Sequence, residues 1–506
     1  MRFNWKQLVS TVVFALCISP TLVSYAPYSF RWDDSDYLWR AISVSRSFWS
    51  GNRHELGIAM LGTPRPPVMT LLGLPWGPLA SWDAAGKCFL TLTAITAFFA
   101  ACCLFLLLRI GLKPLYLVIA SACVFAALGP YPAGADAHFW ATAFMADSLF
   151  AWTAFAAVLL IPYEAPNPAS STTGSLVRGV LWAVIFSVGA ITKVSFLYFI
   201  VGIIPILFFV RMRHSGLRSA LLSLLSLSVC ALPVALYWLQ YGRTVLKYGR
   251  AASFGPTANF YYIPFSQFLA LTIRQSPGML LSGIFATVGA GYLVVKRPHV
   301  AWGRNILPLL IMVGYCIISL ASANREIRFL LPGIIGLPFL IGLLFSGKTY
   351  VLPRWQATIA SIFVFCCLVG AGIPMLRRPD RQSIARSETV LAQAVESNAK
   401  RVLLATDSST LNYSLIKVAM KTSPSSSSIE IIGLDWRAAS GLPIEDDFRD
   451  IRESDLVVFQ ETQALDSPFT NHRVPEYERY TRQQFGESPI KIADDIRIYG
   501  KPHNSR

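Results

Sequence analysis

Apolar and polar positions along this 506-residue chain come in long apolar runs separated by brief polar breaks, not in the short alternation of strands. A helix needs about 17–25 largely apolar residues to cross a hydrocarbon core. Runs near that length fall at about 7–26, 88–108, 114–130, 138–161, 178–192, 195–210, 219–239, 278–295, 305–323, 328–346 and 355–376. The pattern predicts a polytopic α-helical membrane protein of about 11 transmembrane helices. Leu181–Met212 is too long for one span and is interrupted by Lys193, which predicts a tight helical hairpin. Arg2 and Lys6 flank the first run as they would in a signal peptide, but no small-x-small site precedes Pro27, which predicts an uncleaved anchor.

Beyond residue 376 the period shortens. "RVLLATD", "IEIIGL", "DLVVFQ" and "IKIADDIRIYG" read as strands, and "LNYSLIKVAMKT" as a helix between the first two. The expected organisation is a membrane part, residues 1–376, that includes a long outer loop at 27–87, followed by a small C-terminal α/β extracytoplasmic domain, residues 377–506. The tail has no glycine-rich phosphate loop and no catalytic pattern, so packing or partner binding is its expected role.

Composition agrees with the pattern: 54% of residues are hydrophobic and only 14% charged, where a soluble chain carries roughly a quarter. All nine cysteines lie in or beside apolar runs, without CxxC spacing, which argues against a disulfide framework or a zinc site. The net charge of +16 is not spread evenly. Residues 377–506 hold 18 basic and 19 acidic residues, so the excess sits in residues 1–376, with 26 basic against 9 acidic. No basic stripe accompanies a nucleic-acid module, and no nucleic-acid partner is expected. The basic breaks Arg109–Lys113, the segment ending at Arg178, "RMRHSGLR", "KRPHVAWGR" and "SGKTYVLPR" fit cytoplasmic loops. They predict an N-terminus inside and a C-terminus outside.

In that topology eight of the nine acids of the membrane part (Asp33, Asp34, Asp36, Glu55, Asp83, Asp136, Asp147 and Glu326) gather at the outer face, and only Glu164 lies inside. Acids contribute little to orientation, so topology alone does not produce this bias. Asp147 is expected about two turns inside an apolar helix, where a carboxylate needs a cation or a polar cavity. Lys193 poses the same question with opposite sign.

Several segments then line up in order: "DDSDY" at 33–37, "RPP" at 65–67, "MADSLFAWTAF" at 145–155, "ITK" at 191–193 and "REIRFLLP" at 325–332. Together the chain resembles the GT-C membrane glycosyltransferases, especially the group of protein O-mannosyltransferases and lipid A aminoarabinose transferases. The resemblance covers about residues 1–376. It implies an inverting glycosyltransferase that moves a sugar from a polyprenyl-phosphate carrier to a glycan, lipid or protein acceptor at the outer face of a bacterial cytoplasmic membrane. It implies Asp33 as general base with Asp34 beside it as a second catalytic carboxylate, and Tyr37 and Asp147 lining the site. Arg65, Lys193, Arg325 and Arg328 would bind the donor phosphate. Asp34 stands where these families often have glutamate. No cofactor is required by this reading, and a divalent cation at the acidic pair is left open; His54 and Glu55 read as a surface pair.

The same residues suit the chemistry without the family: a leaving phosphate needs fixed cations, and an acceptor hydroxyl needs a positioned base. A polysaccharide polymerase or ligase, centred on 241–277 with Lys247 and Arg250, is one alternative. A lipid-linked sugar flippase or transporter is another, although the sequence lacks the internal repeat that many such folds carry. Trp32, Trp39, Trp49 and Trp76 suit anchoring at the membrane interface.

Overall fold

The computed structural model describes residues 5–22, 32–61, 65–79, 82–129, 142, 145–164, 171–254, 262–275, 306–322, 325–346, 351–372, 381–406, 411–421, 428–434, 443–460, 473–493 and 495–501, with a few positions between 278 and 295. Ten of the eleven expected apolar runs fall on helices, and the run at 278–295 lies largely outside the described residues. In chain order the helices are α1 (Trp5–Leu22), α2 (Trp32–Trp49), α3 (Arg53–Leu61), α4 (Val68–Leu71), α5 (Ala84–Ile110), α6 (Pro114–Leu128), α7 (Asp147–Glu164), α8 (Thr172–Thr192), α9 (Leu197–Ser215), α10 (Leu217–Cys230), α11 (Leu232–Phe254), α12 (Phe265–Gln275), α13 (Ile306–Ala321), α14 (Leu331–Ser346) and α15 (Arg354–Gly372). Among the described residues six helical stretches are long and apolar enough to cross a membrane unaided, and α10 with α11 make a seventh if their pair counts as one. The chain is a multi-pass membrane protein. All nine cysteines are free thiols.

The sequence pattern misplaces three features. The expected single span at 219–239 is two helices bent by 61°, and α11 runs on to Phe254 through what reads as the start of a loop. The connection at 27–87 contains helices α2, α3 and α4. Asp147 opens α7 instead of lying two turns inside it. A carboxylate is favoured at a helix N-terminus, where unpaired backbone N–H groups point outward, so the charge starts the helix.

Helix α7 is the axis of the bundle. All eighteen of its residues are buried, against α5, α8, α9 and α14. Phe150 sits among Phe196, Phe199 and Tyr315 at centroid distances of 5.8–6.2 Å. Close approach of α8 to α10 depends on Gly179, where a Cβ would strike Ser223 and Ser226. The hydroxyls of those serines donate across the interface to the carbonyls of Ser175 and Leu176, each at 2.9 Å, as membrane helices with small and polar contact residues do.

The C-terminal residues form a five-stranded sheet in the order β2-β1-β3-β5-β4, built from β1 (Arg401–Leu404), β2 (Glu430–Gly433), β3 (Leu456–Gln460), β4 (Lys491–Ala493) and β5 (Ile496–Gly500). Val402 pairs in parallel with both Ile431 and Leu456, so crossovers are required. The helix expected at 411–422 is found as α17 (Tyr413–Met420). It follows α16 (Arg381–Glu396) and precedes α18 (Ile444–Glu453) and α19 (Val474–Phe485). The last expected strand is a hairpin of β4 and β5. Helix α17 has two buried faces: Leu415 and Val418 join the core of the helical bundle, and Ile416 and Ala419 join the core of the sheet.

Candidate functional site

Helix α2 carries the acidic stretch. Its apolar positions Leu38, Ala41 and Ile42 are fully buried and dock it on the bundle. Asp33 and Asp34 occupy its first turn. The side chain of Asp33 lies outside the described residues. Asp34 is 1% exposed, so it is not a solvated loop charge.

Asp36 is held by three neighbours. Its Oδ1 accepts from Trp39 Nε1 at 2.9 Å, and its Oδ2 from Arg40 Nε at 3.0 Å. Arg65 Nη1 stands 3.9 Å from Oδ2, while the Arg65 guanidinium lies over the Tyr37 ring at 5.3 Å. Arg65 follows α3 and just precedes α4, where the Pro66–Pro67 pair starts a new helix. The structure thus brings Asp36, Tyr37 and Arg65 together. Trp39 belongs to this cluster, whereas Trp49 is exposed and donates to the Leu74 carbonyl at 3.1 Å.

A second cluster forms at the N-terminal end of α7. Lys193 breaks the chain between α8 and α9 with an extended backbone, and its ammonium pairs with Asp147. It also lies 4.4 Å from the Phe329 ring and 5.5 Å from that of Phe150. Arg328 pairs with Glu326 through Nε at 2.5 Å and Nη2 at 3.1 Å, and reaches Met145 Sδ at 3.7 Å. Lys193 feels the charges of both Arg328 and Glu326. Arg325 donates to the carbonyls of Leu320 at 2.9 Å and Ile263 at 2.5 Å. The first of these caps the C-terminal end of α13, a favourable place for a cation.

Helix α11 borders both clusters. Tyr237 Oη donates to the Arg65 carbonyl at 3.5 Å, and Gly249 faces Val194, the neighbour of Lys193. These contacts are about 18 Å apart along the helix at 1.5 Å per residue. Lys247 and Arg250 of the same helix are exposed. Among the described residues no three His, Cys, Asp or Glu side chains come together as metal ligands, and Asp136 lies outside them.

The sequence reading missed a contribution from the tail. Lys417 of α17 lies over the rings of Trp39 at 5.0 Å and Tyr413 at 5.1 Å, and Ser35 Oγ donates to Asn412 Oδ1 at 2.9 Å. Burial lowers the Lys417 pKa from the ordinary lysine value, with the Asp36 charge opposing it. Burial raises that of Tyr413, and Asp36 adds to the rise. The Asp36–Arg40 pair is legible as an i,i+4 spacing, but no local signal in "LNYSLIKVAMKT" points to α2.

The chain has the fold of the GT-C membrane glycosyltransferases. Among solved structures it is similar to ArnT from Cupriavidus metallidurans bound to undecaprenyl phosphate, with a TM-score of 0.51 and 11% identity over 99% of this chain and 98% of that one. The apo state of the same ArnT gives 0.47 and 10%, over 98% and 97%. The archaeal oligosaccharyltransferase AglB from Archaeoglobus fulgidus, in complex with an inhibitory peptide and a dolichol-phosphate, gives 0.48 and 12%, over 94% of this chain and 72% of that one. No protein-family model and no curated protein matches the sequence.

Proposed function

We propose that the protein is an inverting glycosyltransferase that moves a sugar from a polyprenyl-phosphate carrier to an acceptor at the outer face of a bacterial cytoplasmic membrane. The observation that carries this reading is the acidic N-terminal end of α2, where Asp34 is buried and Asp36 meets Arg65, in a fold that in ArnT was solved with undecaprenyl phosphate. The catalytic part is residues 1–376, N-terminus inside, with 377–506 outside. Asp33 takes the proton from the acceptor hydroxyl or amine as that atom attacks the anomeric carbon. The bond from that carbon to the phosphate oxygen breaks in the same displacement, which inverts the centre. Asp34 orients the acceptor, and Tyr37 and Asp147 line the site. Arg65, Lys193 and Arg328 stabilise the phosphate that leaves, and fixed cations serve a charge that grows in the transition state. Arg325 joins them at the phosphate while also holding the end of α13.

The test is purified protein in nanodiscs, offered a panel of short polyprenyl-phosphate sugars, with release of polyprenyl phosphate as the readout. Mass spectrometry of envelope glycans and lipids with and without the gene names the sugar and the acceptor. No release from any donor, together with an unchanged envelope, overturns the reading. A reporter fusion after Arg381 that is active only in the cytoplasm overturns the orientation.

A further inference from the structure

We infer that Lys417, on a helix of the C-terminal fold, is a positioning residue for the site: it holds Asp36 and Arg65 in register through Trp39, so the C-terminal part completes the site instead of merely covering it. The inference deepens the transferase reading and takes from it only what the site transfers.

The geometry runs in one line. The Lys417 ammonium lies over Trp39 and Tyr413, a stacking worth more where water is excluded. The indole N–H of Trp39 donates to Asp36 at 2.9 Å, and Asp36 in turn meets Arg40 and Arg65. Helix α17 cannot slide freely, because two neighbouring faces of it are packed in two cores. Three further contacts tie the C-terminal fold, two of them at the ends of α17, to the membrane part. Ser35 bonds Asn412, which also caps α17 by accepting from the Leu415 N–H at 2.9 Å. Arg46 of α2 donates to the Lys421 carbonyl, and Trp82 Nε1 donates to Glu388 at 3.3 Å. A lysine serving only to keep the tail soluble would not need to be half-buried against two rings next to an ion cluster.

The groups facing Lys417 are Asp36 and Arg40 of α2, Glu430 of β2, and Tyr413 and Lys421 at the two ends of α17. Burial outweighs the acids, so Lys417 loses its proton at lower pH than a surface lysine. Transfer should therefore show an alkaline limb that follows this proton.

In the full chain, Lys417→Met keeps most of the packing but not the charge, and should lower kcat by about 10- to 100-fold, the scale of a small misplacement of reacting groups. Lys417→Arg should restore most of kcat and move the alkaline limb upward, since arginine stays charged. A purely structural lysine would move neither limb nor rescue in this way. Competitive acetylation across pH, read by mass spectrometry on the Lys417 peptide, tests the coupling without activity. Asp36→Asn removes a carboxylate that favours the charged lysine, so the Lys417 midpoint should fall. A wild-type kcat in Lys417→Met, or an unmoved midpoint in Asp36→Asn, overturns the inference. Absence of transfer by the wild type overturns the transferase reading alone, and the labelling still decides whether Lys417 is coupled to Asp36.

Discussion

Helix α7 carries a carboxylate at each end, and the two ends answer it differently. At Glu164 one acid meets two arginines, Arg178 of α8 and Arg211 of α9, with Arg211 Nη1 at 3.2 Å. Arg211 also donates to Ser175 Oγ at 3.0 Å, and Trp182 Nε1 to Glu164 at 3.3 Å. All three charged side chains are at most 6% exposed. At Asp147 a single lysine pairs with the acid, is 18% exposed, and has a second acid–base pair, Arg328–Glu326, beside it. A sealed triad cannot exchange partners with a ligand, whereas a partly exposed lysine is placed to do so, and in the proposed function it trades its carboxylate for a phosphate oxygen. Buried charge in a membrane helix therefore does not by itself mark a site; access does. The contrast also changes how the basic residues are counted, because Arg178 and Arg211 read in sequence as loop charges that set orientation and are in fact consumed by Glu164.

The largest expected effect lies at the proposed base on α2, apart from either end of α7. Asp33→Asn keeps size and most hydrogen bonding but cannot accept a proton, so transfer should fall by about 10²–10⁴-fold, the usual contribution of a positioned base. The protein should still elute as a single species in detergent chromatography. Full activity in that protein would send the search for the base to Asp34 or Asp147.

The sealed end should fail in the opposite way. Glu164→Gln leaves two buried arginines without their counter-charge, which costs about 3–5 kcal/mol. Thermal unfolding in detergent should shift down strongly, while kcat per folded molecule stays near wild type. An unshifted unfolding temperature would show that the triad does not hold the bundle.

This division was only partly legible in the sequence. Ten apolar runs fell on helices because burial in lipid imposes length and composition on each span locally. The strands 401–404, 430–433 and 456–460 were legible for the same reason, as short apolar runs between turn signals. The helical nature of 32–49 was hidden because its pattern is mixed, with serines and acids on a face that the tail covers. Asp36 carried no assigned role in the sequence beyond its place among the outer acids, yet it is 8% exposed and ion-paired. Lys417 and Asn412 were invisible because their partners lie more than 370 residues away, and no periodicity reports a contact of that range.

Returning to the open end, Lys193→Met removes one charge-assisted contact to the proposed phosphate. Such a contact is worth about 1.5–3 kcal/mol, so donor kcat/KM should drop about 10- to 100-fold. The unfolding temperature should fall less than in Glu164→Gln, because Asp147 sits at a helix N-terminus that partly compensates it. A larger stability loss than in Glu164→Gln would place both ends in one structural class and dissolve the contrast.

The smallest effect is expected where charge is kept and only shape changes. The Arg65 guanidinium lies over Tyr37 at 5.3 Å and reaches Asp36 at 3.9 Å, so its plane is used for stacking and its edge for a carboxylate. Arg65→Ala loses charge, stacking and fork together, and should lower donor kcat/KM about 10- to 100-fold by the same charge-assisted scale. Arg65→Lys keeps a positive charge near Asp36 but presents a compact ammonium without the planar fork. Its loss should be smaller, about threefold to tenfold, roughly one neutral hydrogen bond. Steady-state kinetics with a short-chain donor separates the two variants, and the ordering is what matters. If lysine is as poor as alanine, the stacking on Tyr37 is essential and the charge is incidental. If alanine matches wild type, Arg65 supports α4 and the phosphate is held by Lys193, Arg325 and Arg328 alone.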